Sequence, residues 1–280
     1  MKSGLLVKKS VTIHFVEKKS LYRQFLKLMV FFYTIISIYG QKKDSPVLQT
    51  YTLNEENSFT MITVPGKNYS IGQTEVTQAL YQTVMEDNPS NFRNGENPPV
   101  DGINWYDAIV FCNKLSLLLN KTPAYSVNGV TDPDEWGYEP HGATSLPEMA
   151  QVDWNTEADG FRLPTEDEWE YAAAAGTDSK YAGENLKDSA WYRKNSDFTP
   201  QSVATKAPNK WGLYDMSGNV WEWVWDKYKK DSIYRVYKGG SSSSDKQLCQ
   251  IKFQGHHYPS RNAMCYSYLL FGFRIARGAK

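Results

Sequence analysis

The run NKWGLYDMSGNVWEWVWD, residues 209–226, decides how the rest of the chain is read. From Val220 onward it alternates, with Trp221, Trp223 and Trp225 on one face and Val220, Glu222, Val224 and Asp226 on the other, the period of a β-strand. Asp215, Ser217, Gly218 and Asn219 form a turn cluster ahead of that strand. The turn is expected to bring Asp215 towards Glu222, so that two carboxylates and free backbone carbonyls make an oxygen-rich site suited to a hard cation such as calcium. The same residues also suit a simpler arrangement, with the indoles in a core and the carboxylates in water.

Outward from this run, the composition narrows the class. With 280 residues and 41% hydrophobic content the chain can bury one large core or two small ones. A net charge of zero advertises no basic field, so nucleic acid is not an expected partner. Nine Trp and 19 Tyr are a heavy aromatic load, useful in a core or in a binding surface. Lysines and an arginine precede an apolar run at residues 28–39, which is short of the roughly 20 residues of a membrane span. Residues 1–41 therefore read as a secretory leader, with Gly40 before Gln41 as the cleavage point, and the protein is expected to be exported or displayed at the cell surface. Three cysteines, Cys112, Cys249 and Cys265, are too few and too odd in number for a disulfide framework.

Residues 42–58 read as a polar linker and 59–280 as the domain. FTMITVPG is a strand closed by a Pro-Gly turn, residues 77–85 are a short helix, and Asn104 is an N-cap for a second helix with an apolar stripe through Trp105, Ile109 and Cys112. Residues 122–156 lack periodicity and read as a long surface loop with at most a short hairpin. In FRLPTEDEWEYAAAAG, residues 161–176, Thr165 and Glu168 form a capping box and Gly176 closes the helix. Its acidic first turn, Glu166, Asp167 and Glu168, meets the helix dipole and needs no catalytic role. Beyond the short strand ending at Gly239 and Gly240, residues 241–270 carry no sustained period and read as a displayed segment, and FGFRIAR, residues 271–277, reads as one closing strand.

In this order, VPG (64–66), EVT (75–77), the FRLPTEDEWEYAAAAG block, GLYDMSGNVWEW (212–223), RVYKGGS (235–241) and GFRIAR (272–277) resemble the formylglycine-generating-enzyme, or sulfatase-modifying-factor, family over residues 59–277. The resemblance implies an α+β fold of the C-type-lectin-like kind, with short irregular strands, a few helices and much loop. It also implies a structural calcium held by the side chains of Asp215 and Glu222 and the carbonyls of Gly218 and Val220.

Fold does not assign function, and three functions of the family are weighed on this chain's residues. The oxidase uses two cysteines to hold copper(I), which the family pattern puts at Ser244 and Cys249; only the second is a thiol, so copper is not expected. The sulfoxide-synthase branch uses histidine-ligated iron, and beyond residue 41 the chain has only His141, His256 and His257, without the needed spacing. The third kind are the variable proteins of diversity-generating retroelements, framed by a GGS start, a cysteine, a proline and a closing GFR; here these are residues 239–241, Cys249, Pro259 and residues 272–274. Adenine-directed rewriting yields residues such as those of HHYPSRNAMCYSY (256–268), whereas Gln247, Gln250, Lys252 and Met264 are not its products. Tyr offers contact area at low entropic cost and Ser adaptable hydrogen bonds. The expected ligand surface is Ser243, Ser244, Gln247, Phe253, His256, His257, Tyr258, Asn262, Tyr266 and Tyr268, facing an unknown protein or surface ligand. The rival is a fixed scaffold or binding protein of the same fold, and the oligomeric state is not legible.

Overall fold

The computed structural model describes residues 45–138, 151–260 and 270–278. In chain order the elements are β1 (Val47–Thr52), β2 (Ser58–Thr63), β3 (Tyr69–Gly72), α1 (Gln78–Met85), α2 (Trp105–Leu118), β4 (Tyr125–Val127), β5 (Val152–Trp154), β6 (Phe161–Arg162), α3 (Glu166–Ala174), α4 (Leu186–Ser189), β7 (Trp221–Lys227), β8 (Arg235–Lys238), β9 (Gly255–His257), β10 (Phe271–Phe273) and β11 (Ala276–Gly278). They form a five-stranded sheet in the order β1-β2-β3-β11-β6, a four-stranded sheet in the order β10-β7-β8-β9, and the pair β4-β5.

β7 is the strand the alternation predicted. Trp221, Trp223 and Trp225 join one apolar cluster with α1 and α2, while Val224 joins a second with Trp169 of α3. Both faces of the strand are therefore covered. The indole N–H groups are satisfied locally, Trp223 donating to the Ile103 carbonyl at 3.2 Å and Trp105 to that of Val224 at 2.9 Å. Each large apolar side chain removed from water in this way contributes about 1.5–3 kcal/mol. The turn ahead of β7 has Asp215, Gly218 and Asn219 all at positive φ, 57°, 88° and 60°. Asp and Asn tolerate that region, and at 218 a Cβ would lie 2.0 Å from the Trp191 carbonyl oxygen, so only glycine fits.

The helix caps follow the sequence. Thr77 caps α1; Asn104 and Thr165 start α2 and α3 with reciprocal capping boxes to Asp107 and Glu168. The acidic turn of α3 has further partners beyond the dipole. Glu168 takes a bidentate pair of bonds from Arg162, at 2.6 and 2.7 Å, and Glu166 and Glu170 both accept from Lys238, whose side chain is fully buried. Within the predicted loop 122–156 two three-residue strands, β4 and β5, pair antiparallel, Tyr125 opposite Trp154, from opposite ends of the loop rather than as a short hairpin.

Three expectations are corrected. Residues 47–52 are not linker: β1 pairs with β2 along six residues, Val47 opposite Thr63 through Thr52 opposite Ser58. It is an edge strand and mostly exposed, so no buried face imprints an alternation on it. Residues 241–270 are not loop throughout, because β9 adds to the edge of β8 in the register Arg235 opposite His257. Finally, residues 271–277 are not one strand. β10 runs parallel to β7 in one sheet, β11 runs antiparallel to β3 and β6 in the other, and the chain changes sheets at Arg274 and Ile275. The expected leader, residues 1–41, lies outside the described residues.

Candidate functional site: a buried charge cluster beneath an anchored surface segment

Two places carry the functional expectations. The first is the turn and strand of residues 215–222. Glu75, Asp215, Glu222 and Arg274 are all buried there, three carboxylates around one guanidinium. Arg274 Nε and Nη2 donate to the two oxygens of Glu222 at 2.6 and 2.7 Å, and its remaining donors reach the carbonyls of Gly72 (3.0 Å) and Tyr214 (2.9 Å). Trp169 Nε1 adds a third bond to Glu222 Oε2 at 2.6 Å. Glu75 accepts from the Val220 N–H at 3.0 Å and from Asn219 Nδ2 at 2.7 Å. Asp215 Oδ2 accepts from the Ala204 N–H at 2.8 Å, and its Oδ1 has no partner. Burial first, then the neighbouring carboxylates, raises the Glu75 carboxyl well above its usual range, and burial pushes Asp215 up to about 6.

This geometry bears on the expected calcium ligands. Glu222 already accepts three short bonds, two of them from the Arg274 guanidinium, while Glu75 and Asp215 bring the cluster to three carboxylates around that one cation. Of the expected calcium ligands, Glu222 is engaged by Arg274, whereas Asp215 Oδ1 has no partner among the described residues. No group of three His, Cys, Asp or Glu side chains able to hold a metal ion occurs among the described residues.

The second place is the segment after Gly240. It is anchored at intervals. Ser244 is buried and its Oγ accepts from the Ser241 N–H at 2.9 Å. Cys249 is buried, its carbonyl accepts from Ser217 Oγ at 2.9 Å, and burial pushes its thiol up to about 12. The Ile251 N–H donates to Lys180 O at 2.8 Å, and the Pro259 carbonyl caps α2 by accepting from the Trp105 N–H at 2.9 Å. Lys252 and Gln254 reach back to Glu170 and Glu166 of α3.

Between these anchors the expected ligand residues divide. Gln247 and His256 are exposed; Ser243, His257 and Tyr258 are half-buried. Ser244 is a fold residue, and Phe253 is half-buried against Trp221, ring centroids 5.8 Å apart, so neither belongs to an open surface. Asn262, Tyr266 and Tyr268 lie outside the described residues. Two residues that the sequence did not single out join the surface: Tyr228 stacks on His256 at 3.7 Å and Tyr234 lies 4.6 Å from Tyr258. Both come from the β7–β8 hairpin, and only the strand register brings them beside β9.

The division predicts which positions accept change. Gly255 has the Tyr237 ring where a Cβ would sit, at 2.0 Å. Gly255→Asn is expected to destabilise the domain by about 2 kcal/mol or more, whereas His256→Asn, one residue on, stays within about 0.5 kcal/mol of the parent. Urea denaturation of the two variants checks this, and equal losses would refute the division.

A family model of the sulfatase-modifying factor enzyme 1-like domain matches residues 43–279. The chain belongs to that family. The chaperone protein LppX of Paenibacillus barcinonensis is 35% identical over 230 residues, 71% of this chain and 78% of that protein. The inactive C-alpha-formylglycine-generating enzyme 2 of Bos taurus is 37% identical over 97 residues, 29% of this chain and 32% of that one. Among solved structures, Treponema denticola variable protein 1 superposes with a TM-score of 0.68 at 34% identity, covering 84% of this chain and all of that one. The α+β, C-type-lectin-like fold implied by the motifs is thereby the fold of this chain, and its likeness to a variable protein holds across the whole domain.

Proposed function

We propose that this sulfatase-modifying factor family domain is a non-catalytic, exported ligand-binding protein that presents a retroelement-diversified segment, residues 241–270, on its scaffold. The observation that carries the reading is the alternation of anchors and free side chains in residues 241–260, where Ser244, Cys249, Ile251 and Pro259 hold the backbone and Gln247 and His256 face outward. A segment built this way tolerates change at its free positions because its course is set by the others. The oxidase reading lacks support in the same residues. Ser244 supplies a hydroxyl where the family chemistry needs a thiolate, and the Cys249 thiol is buried and far from ionising at neutral pH.

Incubation of the purified protein with copper(I), oxygen and a cysteine-containing sulfatase peptide is expected to yield no formylglycine by mass spectrometry. Turnover above the metal-only control would overturn the non-catalytic assignment. Diversification is tested in the flanking DNA, where a near-copy of the 241–277 coding region, differing at adenines, is expected beside a reverse-transcriptase frame; absence of both refutes it. The second reading, a fixed binding surface, is favoured by Lys252 and Gln254, whose contacts with α3 make them part of the scaffold. No helix among the described residues is long and apolar enough to cross a membrane.

A further inference from the structure

We propose that the recognition surface extends beyond residues 241–270 to the β7–β8 hairpin, and that the hairpin's aromatic shelf and lysines take an acidic protein segment. The inference rests on the binding reading above. Tyr228 and Tyr234 face each other across the hairpin, the Tyr228 N–H donating to the Tyr234 carbonyl at 3.0 Å. Their rings form one layer with the segment's own. Tyr228 stacks on the exposed His256 ring at 3.7 Å and 14°, Tyr234 meets His256 edge-on at 5.5 Å, and the Tyr234 and Tyr258 ring centroids lie 4.6 Å apart. Two rings of the layer thus come from outside the segment, from the hairpin.

The charge at the hairpin tip defines the partner. Lys227, Lys229 and Lys230 are exposed, Lys229 Nζ lies 5.2 Å over the Tyr228 ring, and Asp231 is the one acidic residue in the turn between Tyr228 and Tyr234. Many of the other cations of the domain, Lys114, Arg162, Lys238 and Arg274 among them, are already held by carboxylates. Ile233, 45% exposed, adds apolar surface beside the tip. Rings and an isoleucine next to unpaired ammonium groups complement a segment with carboxylates and apolar side chains. Three lysines at one tip of a chain whose net charge is zero make no extended track for a phosphodiester backbone.

The test uses a random glutamate–tyrosine copolymer as probe, with oligothymidylate beside it, in biolayer interferometry on the whole chain. The copolymer is expected to bind, to weaken as salt rises, and to weaken about tenfold or more in Tyr228→Ser, in Tyr234→Ser and in the double charge reversal Lys229→Glu/Lys230→Glu. Melting curves verify that each variant folds; the lysines are on the surface, so their reversal decides the matter if a tyrosine variant does not. No binding of the copolymer, tighter binding of oligothymidylate, or full binding by the lysine variant each overturns the proposal. If His256→Ala removes binding while the hairpin variants keep it, the hairpin assignment falls and the reading of the segment stands.

Discussion

Replacing Arg274 by methionine is expected to lower the stability of the domain by about 3–5 kcal/mol, the loss typical of breaking a buried ion pair from one side. For a domain of this size that corresponds to a fall in Tm of about 10 °C or more. The reason is the company Arg274 keeps. It is the one guanidinium among three buried carboxylates, and it bonds both oxygens of Glu222 while also satisfying the carbonyls of Gly72 and Tyr214. Without it Glu222 retains the Trp169 bond and no cation. Arg274→Lys should recover little, because an ammonium cannot reproduce the paired bonds. The double replacement Arg274→Met/Glu222→Gln should recover part of the loss, since it removes the charge that Arg274 paired most directly, while Glu75 and Asp215 stay buried without the guanidinium. Guanidinium denaturation of the parent, Arg274→Met, Glu222→Gln and the double variant measures the cycle, with Arg274→Lys beside it. A loss below about 1 kcal/mol in Arg274→Met would mean that another positive group neutralises Glu222.

Asp215→Asn is expected to act in the opposite direction, raising stability at neutral pH by about 1–3 kcal/mol, the scale of relieving a buried polar group that lacks a partner. The pH dependence carries the sign. Asp215 ionises at about 6 in the folded chain against an ordinary value of 3.8. The folded state therefore binds the proton more tightly than the unfolded state. The stabilisation is fully present below 3.8 and is lost as pH rises to about 6 and beyond. Glu75, raised by burial and by the same neighbours, extends the loss to higher pH. Denaturation at a series of pH values should show stability declining across that window in the parent and a flatter profile in Asp215→Asn. The variant also tests the metal. If calcium raises the parent's melting temperature, chelation lowers it, and Asp215→Asn responds to neither, Oδ1 is a cation ligand; if the parent does not respond to calcium, the expected calcium site falls.

Which parts of this were legible in the sequence follows from the range of each interaction. The strand of Trp221, Trp223 and Trp225, the caps at Thr77, Asn104 and Thr165, and the positive-φ turn at Gly218 are properties of neighbours along the chain, and local spacing predicted them. The order of six motifs was enough to place the chain in its family and fold. Ser244 where the oxidase needs a second cysteine could also be read directly, because it is a statement about residue type.

What the sequence missed depended on partners distant in the chain. Glu222 read as a calcium ligand because Asp215 is its near neighbour, yet the group that holds it is Arg274, 52 residues away, delivered by a chain that changes sheets between β10 and β11. Lys238 joins Glu166 and Glu170 across 72 and 68 residues, which turned an acidic helix start into an ion-paired anchor. β1 was hidden because an edge strand in water leaves no apolar alternation to find. The surface segment shows the same limit: composition marked residues 241–270 as exceptional, but which of its side chains are anchors and which face outward was decided by the packing of Ser241, Gly240 and Trp105 against it. By itself the sequence determined the family, the local elements and the absence of a second thiol, all encoded within a few residues of one another. The tertiary structure alone decided the charge pairing under β7 and the membership of the surface, because burial and counter-ions belong to residues that only the fold brings into contact.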